Sequence, residues 1–421
     1  MRDVRMKGFG ERSDVEEVDA FLAARTEPLG TERVDLHACA GRVLAEDVVA
    51  DADVPGFARS AMDGYAVRGE DTFGASAYDA IPLEVVGVSL PGKPFAGSVG
   101  PGQAARIMTG APVPEGADAV VMAEVCREEG KRVSVREPVA PRKNVGLRGE
   151  DVREGEPLFR RGRRLRAQDV GLLASVGRAE AACVRRPWVR LVVTGDELVP
   201  AGSRPDAGGA KIVDSNSVML RALVERDGGR VRPFEILPDR PEVIRDAMKS
   251  DDADVVLVSG GSSVGQEDHA PRLLEEQGSL DFHGIAMRPS SPTGVGRIAD
   301  RFVFLLPGNP VSCLCAYDFF AGPTIRGLGG LSRAWPHRRI RLPLERKIAS
   351  AVGRADYVRV AIEGGRAVPL ATSGASILSS TVRAAGFVLV PRQWEGMAEG
   401  DEVEILLYDE DPGSEPGVVA G

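Results

Sequence analysis

Histidine, aromatic residues and cysteine are scarce in this chain of 421 residues, and each shortage narrows what the protein can be. There are only four histidines, so a histidine-rich zinc site is not expected. Aromatic residues make up 5% of the sequence, so the hydrophobic cores must consist mostly of Val, Leu and Ala. The five cysteines form no C-x-x-C motif, and their odd number suits a reducing compartment.

The sequence also lacks long hydrophobic runs and an excess of positive charge. No apolar run reaches about 18 residues and the N-terminus is charged, so we expect neither a membrane span nor a signal peptide. The net charge of −9 argues against nucleic acid or an acidic membrane surface as the main partner. The length predicts two to four domains, and the expected location is the cytoplasm.

The strongest local signal is a hydrophobic run followed by a glycine-rich turn, D-V-V-L-V-S-G-G-S-S-V-G-Q-E-D-H at 254–269. Residues 255–259 predict a strand buried on both faces, and Pro271 marks the start of a helix. A strand, a glycine-rich turn and a helix start together form a common phosphate cradle, because small residues let backbone N–H groups approach an anion.

The turn departs from the P-loop motif at one informative place. Gly260 and Gly265 have the P-loop spacing, but Gln266 and Glu267 replace the expected Lys and Ser/Thr, and Asp268 follows. One interpretation is that a divalent cation bridges these acids and a phosphate. The alternative is an ordinary strand-to-helix turn whose acids cap the helix.

The N-terminal part predicts a small β module inserted into a mixed segment. Residues 13–25 predict an amphipathic helix with Ser13 as its N-cap. Residues 34–50 predict two short strands around a helical turn. Alternating runs within 81–139 predict a small β-barrel or sandwich.

From Trp188 the pattern alternates between strands and helices, which predicts an open, mostly parallel sheet with helices on both faces over residues 180–328. Ligands in such sheets bind at the carboxyl ends of the strands. Glu197, Asp214, Asp268 and the 307–310 loop should therefore converge on one crevice. Cys313 and Cys315 fall on different faces of a predicted helix and are expected in the core.

Residues 338–408 return to short alternating strands and predict a second β-barrel or sandwich. The segments 353–357 and 373–380 lie between its strands, and Arg354, Arg359 and Ser376 in or beside them could contact an anion, although surface turns use the same residue types. The last dozen residues are rich in Gly, Pro and acids and are expected to be disordered.

Several motifs follow one another along the chain: S-A-M-D-G-Y-A at 60–66, M-T-G-A-P-V-P-E-G-A-D-A-V-V-M at 108–122, R-G-E-D at 148–151, T-G-D-E-L at 194–198, D-S-N at 214–216, G-G-S-S-V-G at 260–265, L-P-G-N-P-V-S at 306–312 and S-G-A-S-I-L-S-S at 373–380. In this order they resemble the molybdopterin molybdenumtransferase family known as MoeA, whose eukaryotic relatives include the E domain of gephyrin. The resemblance covers nearly the whole chain.

The resemblance implies a multidomain α/β plus β fold in four parts. These are a segmented N-terminal domain (1–54 and 141–180), an inserted β domain (55–140), a doubly wound, mostly parallel α/β molybdopterin-binding domain (181–330) and a C-terminal β-barrel (331–410), followed by the tail 411–421. It also implies a homodimer with the active site between subunits, and transient contact with the molybdopterin adenylyltransferase.

The implied chemistry is Mg²⁺-assisted insertion of molybdate into adenylylated molybdopterin with release of AMP. By motif, the expected catalytic acids are Asp63, Asp151, Glu197, Asp214 and Asp268, of which Glu197, Asp214 and Asp268 would bind the metal. The expected substrate-binding residues are Thr109, Gly260, Gly261, Ser262, Ser263, Gly265, Arg288, Pro292, Pro307, Asn309, Arg354 and Ser376. Locally, the pair Asp63-Gly64 is also compatible with a plain turn.

One segment departs from the family pattern. The family shows K-P-G-K-P where this chain has R-P-S-S-P at 288–292, so Arg288 and Ser291 replace two lysines. Three functions therefore remain open: a molybdenum insertase, a divergent paralogue that handles tungstate or binds pterin without this chemistry, and a gephyrin-like scaffold.

Overall fold

The computed structural model describes residues 12–204, 209–260, 269–371 and 374–408. The predicted site residues Gly261, Ser262, Ser263, Gly265 and Asp268 and the tail 411–421 lie outside these ranges. The chain divides into two compact units, one spanning Arg33–Cys183 and the other combining Met1–Glu32 with Val184–Gly421.

The helices are short, and none in the described ranges is long and apolar enough to cross a membrane. They are α1 (Val15–Ala23), α2 (Ala167–Ser175), α3 (Asn216–Arg226), α4 (Pro241–Lys249), α5 (Ala270–Gln277), α6 (Pro310–Ala316), α7 (Gly322–Leu328) and α8 (Ser379–Val382). A π-helical turn, Tyr317–Ala321, joins α6 to α7. The prediction of Ser13 as the N-cap of the first helix is wrong, since Asp14 occupies that position without a side-chain cap.

The unit Arg33–Cys183 contains most of the strands from β1 to β12. Their bounds are β1 (Thr31–Asp35), β2 (Val48–Val49), β3 (Arg59–Ser60), β4 (Gly64–Val67), β5 (Ile81–Ser89), β6 (Gln103–Ile107), β7 (Ala119–Met122), β8 (Cys126–Glu129), β9 (Arg132–Val135), β10 (Val145–Gly146), β11 (Pro157–Phe159) and β12 (Glu180–Val184).

Six of these strands form one mixed sheet in the order β7-β4-β6-β5-β9-β8, in which only β5 and β6 pair in parallel. Alternate residues of β4 enter different cores, Val67 with Leu83 and Ala66 with Ile107. The expected barrel or sandwich is therefore a single sheet with β7 and β8 at its edges. The alternation of apolar and polar residues shows which face of a strand is buried, but it does not show which strands pair along their edges.

The other unit contains β13 to β29. Their bounds are β13 (Trp188–Thr194), β14 (Leu198–Val199), β15 (Ile212–Val213), β16 (Arg230–Val231), β17 (Ile236–Leu237), β18 (Val255–Ser259), β19 (Ser279–His283), β20 (Met287–Arg288), β21 (Gly294–Ile298), β22 (Arg301–Leu306), β23 (Arg339–Pro343), β24 (Ile348–Ala349), β25 (Ala355–Glu363), β26 (Arg366–Ala371), β27 (Gly386–Val390), β28 (Gly396–Met397) and β29 (Glu402–Leu407).

A seven-stranded sheet in the order β16-β13-β18-β22-β21-β19, with β17 also on β13, is the centre of this unit. Strands β13, β16, β17, β18 and β22 are parallel to one another, and β21 pairs antiparallel with both β22 and β19. Val255 and Leu257 of β18 face α3 and α6, while Val256 and Val258 face α4 and α5. Every residue of β18 is buried, as its continuous apolar run predicts. The α/β architecture is confirmed.

Strands from residues 339–407, together with β20, form the second large sheet of this unit, in the order β20-β25-β27-β29-β23 with β26 on β25. A parallel bridge between Leu344, just after β23, and Ala367 of β26 joins the two ends of the row β26-β25-β27-β29-β23, so that these strands close into a ring. Val358, Val388 and Ile405 belong to the core of this ring. The predicted C-terminal β-barrel is therefore present, and β20 from the α/β part pairs with its strand β25.

Candidate functional site

The carboxyl ends of three parallel strands lie side by side in the α/β sheet. Ser259 pairs with Val193 on one side and with Leu306 on the other. The residues that follow these strands, Gly195, Gly260 and Pro307, therefore come together at one edge. Gly260 has φ of +100°, and an added Cβ would lie 2.3 Å from the Thr194 carbonyl oxygen, so glycine is required at this position.

A cavity of about 600 Å³ opens at this edge, and we call it the strand-end cavity. Five predicted site residues line it: Glu197, Asp214, Gly260, Asn309 and Ser376. Strands β14 and β15 bring the two acids together, since the Ile212 N–H donates to the Glu197 carbonyl oxygen at 2.8 Å. The Val311 N–H donates to the Ala375 carbonyl oxygen at 3.0 Å, which ties the segment of Ser376 to the start of α6.

Hydrogen bonds fix the shape of this cavity. Asp214 is 5% exposed and accepts hydrogen bonds from the backbone N–H and the hydroxyl of Ser217. The Asn216 amide donates to Ser259 Oγ at 3.1 Å and to the Gly308 carbonyl oxygen at 2.8 Å. The starts of α3 and α6 and the end of β18 are thus held together.

The oxygen atoms around this cavity suit a hard divalent cation. Besides the carboxylates of Glu197 and Asp214, the buried oxygens Asn216 Oδ1 and Thr194 Oγ1 have no hydrogen-bond partner among the described residues. Carboxylate, amide and hydroxyl oxygens are the ligands that Mg²⁺ accepts. The described ranges contain no group of three acidic, His or Cys side chains that could hold a metal by itself. Of the predicted metal ligands, Asp268 lies outside those ranges.

A second cavity of about 420 Å³ adjoins the first, and we call it the arginine cavity. Four arginines line it: Arg12, Arg288, Arg354 and Arg359. The predicted residues Pro292, Pro307 and Asn309 line it as well. Gly308 and Asn309 belong to both cavities, so the two spaces meet at the 307–310 loop.

The R-P-S-S-P segment forms one wall of the arginine cavity. Ser290, where the family motif has glycine, has φ of +89°, and its hydroxyl donates to the Ser312 carbonyl oxygen at 2.7 Å. The Ser291 hydroxyl donates to the Ile285 carbonyl oxygen at 3.0 Å. The position of the missing lysine is thus taken by a neutral side chain that bonds to its own backbone turn.

Arg359 is 1% exposed, and burial lowers the pKa of its guanidinium. Since arginine titrates far above neutral pH, the side chain stays charged. A desolvated positive charge next to the cavity strengthens the attraction for an anion inside it.

In the unit Arg33–Cys183, the structure brings Asp63 and Thr109 into direct contact. Asp63 Oδ1 accepts hydrogen bonds from the Thr109 N–H at 2.7 Å and from its hydroxyl at 2.8 Å. These hydrogen bonds lower the pKa of the exposed Asp63 carboxyl group. Asp151 is also exposed, and its N–H donates to the Val54 carbonyl oxygen at 3.0 Å. Within the described part of this unit, no hydrogen bond joins the Asp151 side chain to Asp63 or Thr109.

Comparison with known proteins agrees with this geometry. The MoeA N-terminal region (domain I and II) matches residues 13–177, a probable molybdopterin binding domain matches 190–327, and the MoeA C-terminal region (domain IV) matches 341–408. The molybdopterin molybdenumtransferase of Haemophilus influenzae is 34% identical over 393 residues, covering 91% of this chain and 95% of that protein. The chain belongs to the MoeA family.

Two further relatives support this assignment. The molybdopterin molybdenumtransferase of Staphylococcus aureus is 31% identical over 391 residues, covering 91% of this chain and 92% of that protein. The crystal structure of a molybdopterin biosynthesis MoeA protein from Pyrococcus horikoshii superimposes with a TM-score of 0.80 at 33% identity. That likeness covers 95% of this chain and 100% of the other, so the MoeA fold extends over nearly the full length.

Several residues of these cavities were not predicted as site residues. Thr194, Asn216 and the acid Asp239 line the strand-end cavity, and Arg12 lines the arginine cavity. Thr194 and Asn216 lie inside MoeA motifs, T-G-D-E-L and D-S-N, where the neighbouring acids drew attention instead. No local signal in the sequence distinguishes Arg12 from other exposed arginines.

Proposed function

We propose that this MoeA protein inserts molybdenum into molybdopterin during molybdenum cofactor biosynthesis, by a Mg²⁺-dependent reaction of molybdate with adenylylated molybdopterin that releases AMP. One observation carries the proposal: a cavity with carboxylates and a cavity with arginines adjoin at Gly308 and Asn309. The reaction needs such a pair of sites, because one substrate carries a phosphoanhydride and the other is a small oxyanion.

The strand-end cavity would bind the phosphoanhydride end of the substrate. Glu197 and Asp214, together with Asp268, would hold Mg²⁺, which when bound neutralises negative charge on the phosphates. Hydrogen bonds within the protein hold this cavity in shape: Ser217 donates to the Asp214 carboxylate, and the Asn216 amide donates to the Gly308 carbonyl oxygen. Held in place before substrate arrives, these groups lose little freedom on binding.

The arginine cavity would bind molybdate. A tetrahedral dianion needs several convergent N–H donors, and guanidinium groups supply them as pairs. Four arginines with Asn309 line a space of about 420 Å³. The adjoining position of the two cavities would place the oxyanion beside the phosphorylated pterin.

The cysteines agree with a reaction in which the pterin supplies the sulfur ligands of molybdenum. Cys313 and Cys315 are fully buried, and burial raises the pKa of the Cys313 thiol to about 12. Neither thiol lines the strand-end cavity or the arginine cavity, so neither is placed to bind molybdenum there.

We also propose the assembly and location that the MoeA resemblance implies: a cytoplasmic homodimer with its active site between subunits, in transient contact with the molybdopterin adenylyltransferase. Complementation tests the dimer. Asp63→Asn and Glu197→Gln proteins, each inactive alone, should regain activity when co-expressed with different tags and purified as a mixed dimer. A mixed dimer without activity would contradict a site built from both subunits.

The main experiment measures AMP release from adenylylated molybdopterin with Mg²⁺ and either molybdate or tungstate. Asp214→Asn and Glu197→Gln should reduce the rate strongly, because each removes a negative charge from the strand-end cavity. Glu225→Gln, on the exposed face of α3, is the matched control and should keep wild-type activity. A protein that folds but releases no AMP with either oxyanion would not be an insertase.

The divergent-paralogue alternative is favoured by the R-P-S-S-P segment alone. Ser291 supplies no positive charge to the arginine cavity, so affinity for the oxyanion should be lower than in a protein with both lysines. Replacing Arg288 and Ser291 by Lys should therefore tighten molybdate binding, measured by calorimetry. An unchanged dissociation constant would show that the other arginines already suffice.

A further inference from the structure

Asp356 lies against the arginine cavity without lining it, and it is 1% exposed. Its Oδ2 accepts hydrogen bonds from Arg288 Nη2 and, at 2.7 Å, from Ser350 Oγ. Its Oδ1 lies 3.4 Å from Arg354 Nε. One buried carboxylate therefore holds two of the arginines that line the cavity.

The fold, and not the local sequence, creates this arrangement. Strand β20 pairs in parallel with β25, and in this register Arg288 stands opposite Asp356. Arg354 immediately precedes β25. The pairing thus joins the α/β part to the C-terminal barrel at the point where the two guanidinium groups approach the carboxylate.

Among the described residues, the Asp356 carboxylate has three polar partners, and each carries donor groups: Arg288 and Ser350 donate to Oδ2, and Arg354 forms an ion pair with Oδ1 without a hydrogen bond. Only an ionised carboxylate presents acceptors in every direction, whereas an amide presents one acceptor and one donor group. Arg288 Nε and Arg354 Nε are buried and make no hydrogen bond with the described residues. Arg288 reaches Asp356 through Nη2 and Arg354 approaches it through Nε, so each guanidinium retains other N–H groups that Asp356 does not use.

We propose that Asp356 is a positioning residue for oxyanion binding, and that it acts through Arg288 and Arg354 by fixing their guanidinium groups at the cavity. This rests on the proposed binding of molybdate in the arginine cavity. Asp356 carries a negative charge, so simple electrostatics predicts that its neutralisation tightens anion binding; positioning predicts the opposite.

The test is a thermodynamic cycle with inorganic molybdate as the probe and calorimetry on the full-length protein. Asp356→Asn should weaken molybdate binding about ten- to hundredfold, because the amide turns a donor towards one of the arginines and releases it from its position. In a protein that already carries Arg288→Met and Arg354→Met, the same change at Asp356 should alter the dissociation constant by less than about twofold.

Two further variants keep the test decisive. Ser350→Ala removes one hydrogen bond to the carboxylate without touching the arginines, and it should weaken binding about two- to fivefold even if Asp356→Asn folds poorly. Asp254→Asn is the matched control, since Asp254 also holds an arginine, Arg185, but precedes β18 at the opposite end of the strand. It should lower thermal stability and leave molybdate binding unchanged.

The outcomes separate this inference from the function on which it rests. Wild-type or tighter binding by Asp356→Asn overturns the positioning role, and so does an equal loss in both arginine backgrounds, which would indicate a structural role only. If the Arg288→Met, Arg354→Met protein binds molybdate as the wild type does, the oxyanion site itself is misplaced and the proposed function fails at that step.

Discussion

Gly260 offers a sharp test of the strand-end cavity, because the structure predicts that even one added methyl group is not tolerated there. In Gly260→Ala, the backbone would have to keep φ of +100°, which costs an L-residue roughly 1–2 kcal/mol. The new Cβ would also lie 2.3 Å from the Thr194 carbonyl oxygen, so the backbone of β13 or β18 must move. Such overpacking costs about 1–3 kcal/mol more.

The expected total of about 3 kcal/mol should lower the melting temperature by roughly 5–10 °C. The same displacement moves Thr194, whose Oγ1 would lie 3.1 Å from the new Cβ and which lines the strand-end cavity. We therefore expect weaker binding of AMP in the presence of Mg²⁺ as well. Thermal unfolding followed by circular dichroism measures the first effect, and calorimetric titration measures the second.

Gly308→Ala is the matched control, because Gly308 lines both cavities but an added Cβ there meets no atom within 4 Å. Its stability should stay within about 0.5 kcal/mol of the wild type. If Gly260→Ala and Gly308→Ala behave alike, the close approach of β13 and β18 at this edge does not constrain the protein, and the reasoning about the cavity is wrong.

Three other predictions concern single contacts. Asp169→Asn should destabilise the protein by about 1–3 kcal/mol at neutral pH, because a buried carboxylate that accepts hydrogen bonds from Arg163 is lost. The Arg163 contact lowers the pKa of Asp169 in the folded state. The ionised Asp169 therefore contributes its full stabilisation at pH values above the pKa of an unfolded aspartate. The difference in unfolding free energy between Asp169→Asn and wild type should narrow as the pH falls below about 4. Thr109→Val removes a hydrogen bond that lowers the pKa of Asp63, so the acid limb of the pH–activity profile should move to higher pH. At Ser290, with φ of +89°, Ala should destabilise more than Gly, the reverse of the usual order, because Ala keeps the backbone strain and loses the hydroxyl.

Each of these has a result that would contradict it. Equal melting temperatures of Asp169→Asn and wild type at pH 7 would show that the arginine contacts contribute nothing. An unchanged acid limb in Thr109→Val would mean that Asp63 does not limit activity at low pH. A more stable Ala than Gly at position 290 would show that the backbone there relaxes out of the left-handed region.

The sequence predicted the α/β core well, because a strand that is buried on both faces has apolar residues at every position, whereas an element at the surface has polar residues on one face. Residues 255–259 are such a run, and they form the fully buried strand β18. The rule that ligands gather at the carboxyl ends of parallel strands then placed Glu197, Asp214 and the 307–310 loop near one another, and the structure shows Glu197, Asp214 and Asn309 around one cavity.

The N-terminal β module and the helix cap show where such reasoning fails. Alternating residues within 81–139 revealed strands, yet the expected barrel or sandwich is one mixed sheet. Ser13 has the right spacing for a cap, but the helix begins one residue later, after Asp14. The pairing of strand edges is a tertiary choice that alternation along one strand does not contain. The start of the helix follows the extended backbone at Asp14, and the spacing of capping residues leaves that position open by one residue.

The sequence by itself determined the family, the alternation of strands and helices in the α/β part, and two of the acids that line the strand-end cavity, Glu197 and Asp214. Only the tertiary structure decided that Asp356 holds Arg288 and Arg354, since these positions are joined by a parallel pairing between the α/β part and the barrel. It likewise decided that Gly308 and Asn309 join the two cavities. Motifs report chemistry within a few residues, whereas register and packing between distant segments set the distances on which binding depends.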